Sequence, residues 1–159
     1  MALFRGPVCD LIYALKYSNA YWAVDDLGRI AEYAEGLGDY LVEAILVPVP
    51  LHPRKERERG YNQSALIAES IAGRFEGVRL RFLLERIVDT RSQTQFNRQE
   101  RYRNLRNAFS LAKKSVIDPS QRYIIVDDVF TTGSTLNACA ATLRKAGAKR
   151  VDVLTLGHG

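Results

Sequence analysis

The sequence predicts an α/β protein with a mainly parallel sheet flanked by helices, and three observations support this. Tyr123 to Val126 is an apolar, β-branched run of the kind a sheet buries on both faces. From Ser134 the period changes to that of a helix, with Leu136, Cys139, Ala140 and Leu143 on one face and Gly147 offering a left-handed stop. Ala44 to Pro50 is another apolar run, cut off by prolines, and Ala68, Ile71, Ala72 and Phe75 later form a helical stripe. Strands alternating with helices imply βαβ units, right-handed crossovers and a parallel sheet.

Taken in order, Asp10 to Tyr17 reads as a short helix with Leu11, Ile12 and Leu15 inward. Lys16 is the one charge near that group, and its two readings are a lysine snorkelling at a helix end or one reaching a ligand phosphate. Tyr21 and Trp22 read as core or edge aromatics. Leu27, Ile30, Ala31 and Ala34 share the face of a second helix closed by Gly36 and Gly38, so residues 1–42 form a helical N-terminal cap. After the Ala44–Pro50 strand, His52 to Gly60 is a basic connection; Tyr61 to Ser64 leads into the helix of Ala68 and Ile71. His52 reads as a surface or packing histidine and Cys9 as a small buried hydrophobe. Val78 to Leu84 reads as one strand. Glu85 to Arg103 is a long polar loop whose end, Gln99 to Arg106, suits a helical turn. Ala108 to Leu111 reads as a short strand, Lys113 to Arg122 as a surface turn, and Val151 to Leu156 as the last strand.

The 159 residues, 17.9 kDa, suit a single domain over 1–159, and 47% hydrophobic with 26% charged residues argues against disorder. No apolar run reaches membrane-spanning length, and the first ten residues hold no secretory core, so a cytoplasmic protein is expected. Cys9 and Cys139 are the only cysteines, which excludes a disulfide framework and a cysteine-rich zinc site. The net charge of +5 is concentrated in Arg54, Lys55, Arg57 and Arg59 and in a second set from Arg86 to Arg106. Glu56, Glu58, Glu85, Asp89 and Glu100 dilute both sets, which favours a small phosphorylated ligand over a broad nucleic-acid stripe.

The chemistry is concentrated between the Tyr123 strand and the Ser134 helix. Thr131, Thr132, Gly133, Ser134 and Thr135 supply backbone N–H groups and four hydroxyls at a helix N-terminus, which suits phosphate. Asp127 and Asp128, adjacent to them, suit hydroxyl donors or a hard cation such as Mg²⁺. A loop offering both points to a phosphorylated sugar. In a parallel sheet the loops after Pro50, Leu84 and Asp128 emerge at one edge, where ligands bind, and are expected to build one site.

Val126-Asp-Asp-Val-Phe-Thr-Thr-Gly-Ser-Thr135 resembles the phosphoribosyl pyrophosphate (PRPP) signature of type I phosphoribosyltransferases. Val47-Pro-Val-Pro-Leu-His-Pro53, Arg59-Gly-Tyr-Asn-Gln63, Gln93-Thr-Gln through Arg101, Asn104, Ala108-Phe109 and Ala14-Leu-Lys-Tyr17 further resemble the competence protein F, or amidophosphoribosyltransferase-like, family. The resemblance implies a type I phosphoribosyltransferase fold with a long hood loop. It gives Asp127 and Asp128 the ribose hydroxyls and a catalytic role, with Mg²⁺ held nearby through water, and Thr131 to Thr135 the 5-phosphate. Arg54 and Arg59 are then candidates for pyrophosphate, and Arg91 and Arg101 for the hood. Many members of the family begin with a four-cysteine zinc module, which this sequence lacks: either this member has none, or the chain begins after it.

The implied activity is Mg²⁺-dependent phosphoribosyl transfer to an unidentified acceptor. Two alternatives stand beside it: a non-catalytic role in DNA uptake, binding single-stranded DNA with a helicase-like partner, and a PRPP or nucleotide sensor. A homodimer is compatible with each of them.

Overall fold

The computed structural model describes residues 7–18, 20–88 and 107–158. Its centre is a four-stranded, all-parallel sheet in the order β2-β1-β5-β6, formed by β1 Ala44–Pro48, β2 Arg79–Leu80, β5 Arg122–Phe130 and β6 Arg150–His158. A separate antiparallel pair, β3 Leu84–Arg86 and β4 Phe109–Leu111, matches Leu84 to Leu111 and Arg86 to Phe109. The helices are α1 Pro7–Tyr17, α2 Ala23–Glu32, α3 Leu37–Leu41, α4 Pro53–Arg59, α5 Gln63–Ala72 and α6 Ser134–Lys145.

Alternation along β5 divides the core into two layers, because successive side chains point to opposite faces of a strand. Ile124 and Val126 face Ile12, Leu15, Leu27, Leu41, Ile67 and Ile71 of the helices α1, α2, α3 and α5. Tyr123 and Ile125 face Leu136, Cys139 and Leu143 of α6, together with Phe109 of β4. Ile124, Ile125 and Val126 are fully buried, and each such side chain contributes about 1.5–3 kcal/mol. The first three helices therefore share the main core with the sheet.

The expected αβ alternation is present, and the stop at Gly147 holds: its φ is +110°, and the N–H of Ala148 bonds the carbonyl of Leu143. Several details differ from the expectation. The Val78–Leu84 run divides: Arg79 and Leu80 pair with β1, while Leu84 opens β3 in the other sheet. The Arg81 N–H still bonds the Leu46 carbonyl, which marks the end of pairing with the main sheet. The basic connection after Pro50 contains α4, begun by Pro53 at its first position, where no N–H is needed, and closed by Gly60 at φ +83°. His52 is its N-cap, its ring Nδ1 accepting the Arg54 N–H at 3.3 Å.

Tyr21 and Trp22 are exposed rather than core, and so is Ile30, because the buried stripe of α2 runs through Ala23, Leu27 and Ala31. Cys9 is only half-buried. The end of the hood loop, with its expected helical turn at 99–106, lies outside the described residues. Among the described residues, no helix is long and apolar enough to cross a membrane.

Candidate functional site

The strand carrying the carboxylates is longer than its apolar run. β5 continues through Asp127, Asp128 and Val129 to Phe130, and it stays paired with β6 as far as Phe130 beside His158. Both carboxylates thus project from sheet backbone rather than from a loop, and each meets a partner from the helical layer that holds α1 and α5. Asp127 approaches Ser64 at the start of α5 and Asp128 approaches α1.

Asp127 Oδ1 accepts two hydrogen bonds, from the Ser64 hydroxyl at 2.9 Å and from the Asp128 N–H at 3.0 Å. Burial is the main influence on its acidity, followed by the neighbouring Asp128 charge. Together they push Asp127 up to about 6, against the pull of the two donors and of Lys16. Ser64 is itself held in place by its neighbour. Asn62 caps α5, its Oδ1 accepting the N–H groups of Ser64 and Ala65, while its Nδ2 donates to the Val49 carbonyl at 2.9 Å. Asn62, Gln63, Ser64 and Asp128 are the buried polar residues among those described, and all of them lie at this edge of the sheet.

Asp128 is 4% exposed, and its Oδ2 lies 2.9 Å from the Lys16 ammonium. The approach is an ion pair without the angle of a hydrogen bond: Oδ2 is the one fully buried side-chain oxygen among the described residues that lacks a hydrogen-bond partner. Neither sequence reading of Lys16 foresaw this. The lysine, its side chain 21% exposed, meets the second carboxylate of the pair.

Beyond Phe130 the chain turns through Thr131, Thr132 and Gly133 into α6. Gly133 sits at φ +70°, a conformation that favours glycine, and a Cβ there would stand 3.0 Å from the Phe130 ring and press on it. The Thr132 and Ser134 hydroxyls lie 2.9 Å apart, and the Ser134 N–H reaches the Thr132 oxygen at 3.4 Å. The first-turn N–H groups of a helix have no acceptor within it. Here they border a recess of about 30 Å³ lined by Asp127, Val129 and residues 131–136. The structure therefore brings Asp127, Thr131, Thr132, Gly133, Ser134 and Thr135 onto one recess, while Asp128, next to Asp127 on the strand, faces Lys16 instead.

The arginine candidates are less gathered. Arg54 is exposed and pairs within α4 with Glu58 at 2.9 Å, and Arg59 donates to Gln63. The segment connecting β1 to α5 does start at the same edge of the sheet, since the Val49 N–H bonds the Val126 carbonyl. Arg91 and Arg101 lie outside the described residues. Three site residues went unassigned in the sequence. Lys16 was assigned no partner among the carboxylates, and Ser64 and Asn62 looked like an ordinary helix start. Their signal was an Asn-x-Ser cap directly after the Gly-Tyr of the basic connection.

Comparison with known proteins agrees with this geometry. Residues 62–157 match the phosphoribosyl transferase domain model. Competence protein F of Haemophilus influenzae is 33% identical over 156 residues, covering 96% of this chain and 68% of its own length. The DNA utilization protein YhgH of Escherichia coli K12 is 31% identical over 163 residues, covering 98% of this chain and 69% of its own length. Among solved structures, the allosteric regulatory enzyme of purine biosynthesis superposes with a TM-score of 0.51 at 24% identity, over 86% of this chain and 26% of that one, a likeness of fold. The parallel sheet, the flanking helices and the matched domain are those of a type I phosphoribosyltransferase fold, and the chain belongs to the competence protein F family of that superfamily.

Proposed function

We propose that the chain binds PRPP, or another ribose 5-phosphate compound, and transfers the phosphoribosyl group to an acceptor. The observation that carries this reading is the juxtaposition of the residue 131–135 turn with two adjacent, largely buried carboxylates at the end of a parallel strand. The 5-phosphate would take the N–H groups and hydroxyls of Thr131 to Thr135, and the ribose hydroxyls would donate to Asp127 and Asp128. Charge-assisted hydrogen bonds contribute about 1.5–3 kcal/mol each, so four or five reach the roughly 8 kcal/mol of micromolar affinity.

The carboxylates suit the chemistry as well. Displacing pyrophosphate from C1 builds positive charge on the ring, which fixed anions stabilise when water is kept out. Among the described residues no cluster of three His, Cys, Asp or Glu is placed to hold a metal unaided. Two adjacent carboxylates nevertheless suit Mg²⁺, which commonly completes its shell from ligand phosphates and water. When bound there it would neutralise the pyrophosphate leaving group.

Titration with PRPP and Mg²⁺, followed by a screen for pyrophosphate release with candidate bases, tests the proposal. Micromolar binding with release supports transfer, binding without release leaves a sensor, and the absence of binding sinks both.

A second reading has its own observation. Lys55 and Arg57 lie exposed on α4, beside Arg54 and Arg59, and two relatives are called a competence protein and a DNA utilization protein. That charge would suit the backbone of single-stranded DNA.

A further inference from the structure

The ammonium of Lys16, 2.9 Å from Asp128 Oδ2, stands where the ribose reading requires a hydroxyl donor. Its side chain is 21% exposed and that of Asp128 6%, so the pair is sheltered from water but not sealed. Charge in such a place needs a partner, because an unpaired buried carboxylate is costly. The surroundings of Lys16 fix the end of α1 in place. The Tyr61 hydroxyl donates to the carbonyl of Leu15, the residue before Lys16, and the Tyr61 and Tyr21 rings meet at 4.7 Å between centroids. Tyr61 immediately follows α4 and the basic connection. The end of α1 is thus clamped at the junction between the carboxylate pair and the segment that carries Arg54 and Arg59. Lys16 itself lies outside the matched phosphoribosyl transferase domain, whose match begins at residue 62.

We infer that Lys16 is a placeholder cation: it neutralises Asp128 while the site is empty and passes to the ligand's diphosphate when ribose hydroxyls take the carboxylate. The four-carbon stem of lysine lets the ammonium exchange partners through side-chain rotation, with α1 held in place by Tyr61. The inference rests on the PRPP reading of the site. It also sharpens that reading, because an ammonium left on Asp128 would cancel the negative charge that helps transfer.

The consequence is a pair of opposite effects. Ribose 5-phosphate has no diphosphate to offer the displaced ammonium, so it bears the cost of breaking the ion pair without return. PRPP recovers that cost. Lys16→Met is therefore expected to strengthen ribose 5-phosphate binding and to weaken PRPP binding, lowering the PRPP to ribose 5-phosphate affinity ratio by about tenfold or more, the size of one charge-assisted hydrogen bond. Lys16→Arg, which keeps the charge, is expected to hold the ratio within about threefold, roughly the size of a surface ion-pair effect.

Calorimetric titration of wild type and both variants with each ligand, at one fixed Mg²⁺ concentration, measures the ratio. A purely structural role for Lys16 would weaken both ligands together and leave the ratio unchanged, and that result overturns the inference alone. A wild-type protein that binds neither ligand overturns the PRPP reading and this inference with it.

Discussion

The Ser64 hydroxyl donates to Asp127 Oδ1 at 2.9 Å, joining the start of one helix to a strand 63 positions further along the chain. This bond is one of the two that stabilise the ionised form of a carboxylate that burial and the Asp128 charge hold near 6. A folded-state value above that of the unfolded chain means that the native protein keeps this proton more tightly. The stability contributed by Asp127 is thus fully present below about pH 4 and is lost as pH rises through about 6. Relative to wild type, Asp127→Asn should accordingly gain stability between about pH 4 and pH 7, by on the order of 1–3 kcal/mol. Urea unfolding at the two pH values reads the difference.

The same titration should control ligand binding. If ribose hydroxyls donate to ionised Asp127, affinity for ribose 5-phosphate without divalent cation should fall as pH drops below about 6. In Ser64→Ala the midpoint of that fall should move to higher pH, since the variant lacks a donor that favours the charged form. A midpoint that stays in place would show that Ser64 does not tune the carboxylate.

Gly133→Ala should damage the turn twice. Its φ of +70° is unfavourable to any residue with a Cβ, and the added methyl would press on the Phe130 ring at 3.0 Å. The expected cost is about 1–2 kcal/mol of stability, with ribose 5-phosphate affinity reduced at least about tenfold, the loss of one charge-assisted bond. Thermal unfolding and calorimetry together check both effects.

Asn62→Ala should weaken the site without touching a ligand. The variant leaves the Ser64 and Ala65 N–H groups and the buried Val49 carbonyl without their partner. A lost cap costs about 0.5–2 kcal/mol, and freeing Ser64 should carry part of the pH shift of Ser64→Ala. Asn62→Asp, which keeps the cap but loses the Nδ2 donor, should restore part of the stability. Urea unfolding of the two variants, with the pH dependence of ribose 5-phosphate binding, measures both effects.

For the DNA reading, replacing Arg54, Arg57 and Arg59 together with alanine should lower single-strand affinity and flatten its dependence on salt. The slope should change by about 0.7 for each phosphate that is no longer neutralised. Asp127→Asn with Asp128→Asn should leave that affinity unchanged. Fluorescence anisotropy over a salt series measures both, and single-strand affinity indifferent to salt and to the three arginines would rule this reading out.

How far the sequence could be read depended on the distance over which each feature is encoded. The turn from Thr131 to Thr135, the two carboxylates, the period of α6 and its stop at Gly147 are local features, each set by residues within a few positions of one another. The same holds for the strands Ala44–Pro48 and Phe109–Leu111. Misreadings came where a local pattern met a tertiary choice. Val78 to Leu84 is apolar enough for one strand, but only Arg79 and Leu80 of it pair with β1, and Leu84 finds its partner in Leu111. For Tyr21 and Trp22 the sequence left core and edge both open, and the structure exposes them because the face of α2 that meets α5 is filled by Ala23, Leu27 and Ala31.

By itself, the sequence determined which groups the strand end offers: hydroxyls and free N–H groups at a helix start, and two neighbouring carboxylates. The identity of the groups that face those carboxylates was decided only by the tertiary structure. Lys16 on Asp128 and Ser64 on Asp127 arrive from segments with no motif in common with β5. The physical reason lies in the parallel sheet, which brings the start of α5 and the end of α1 to the same strand end. Once the carboxylates are buried there, each must be met by a donor or a charge, and only the folded chain determines which one.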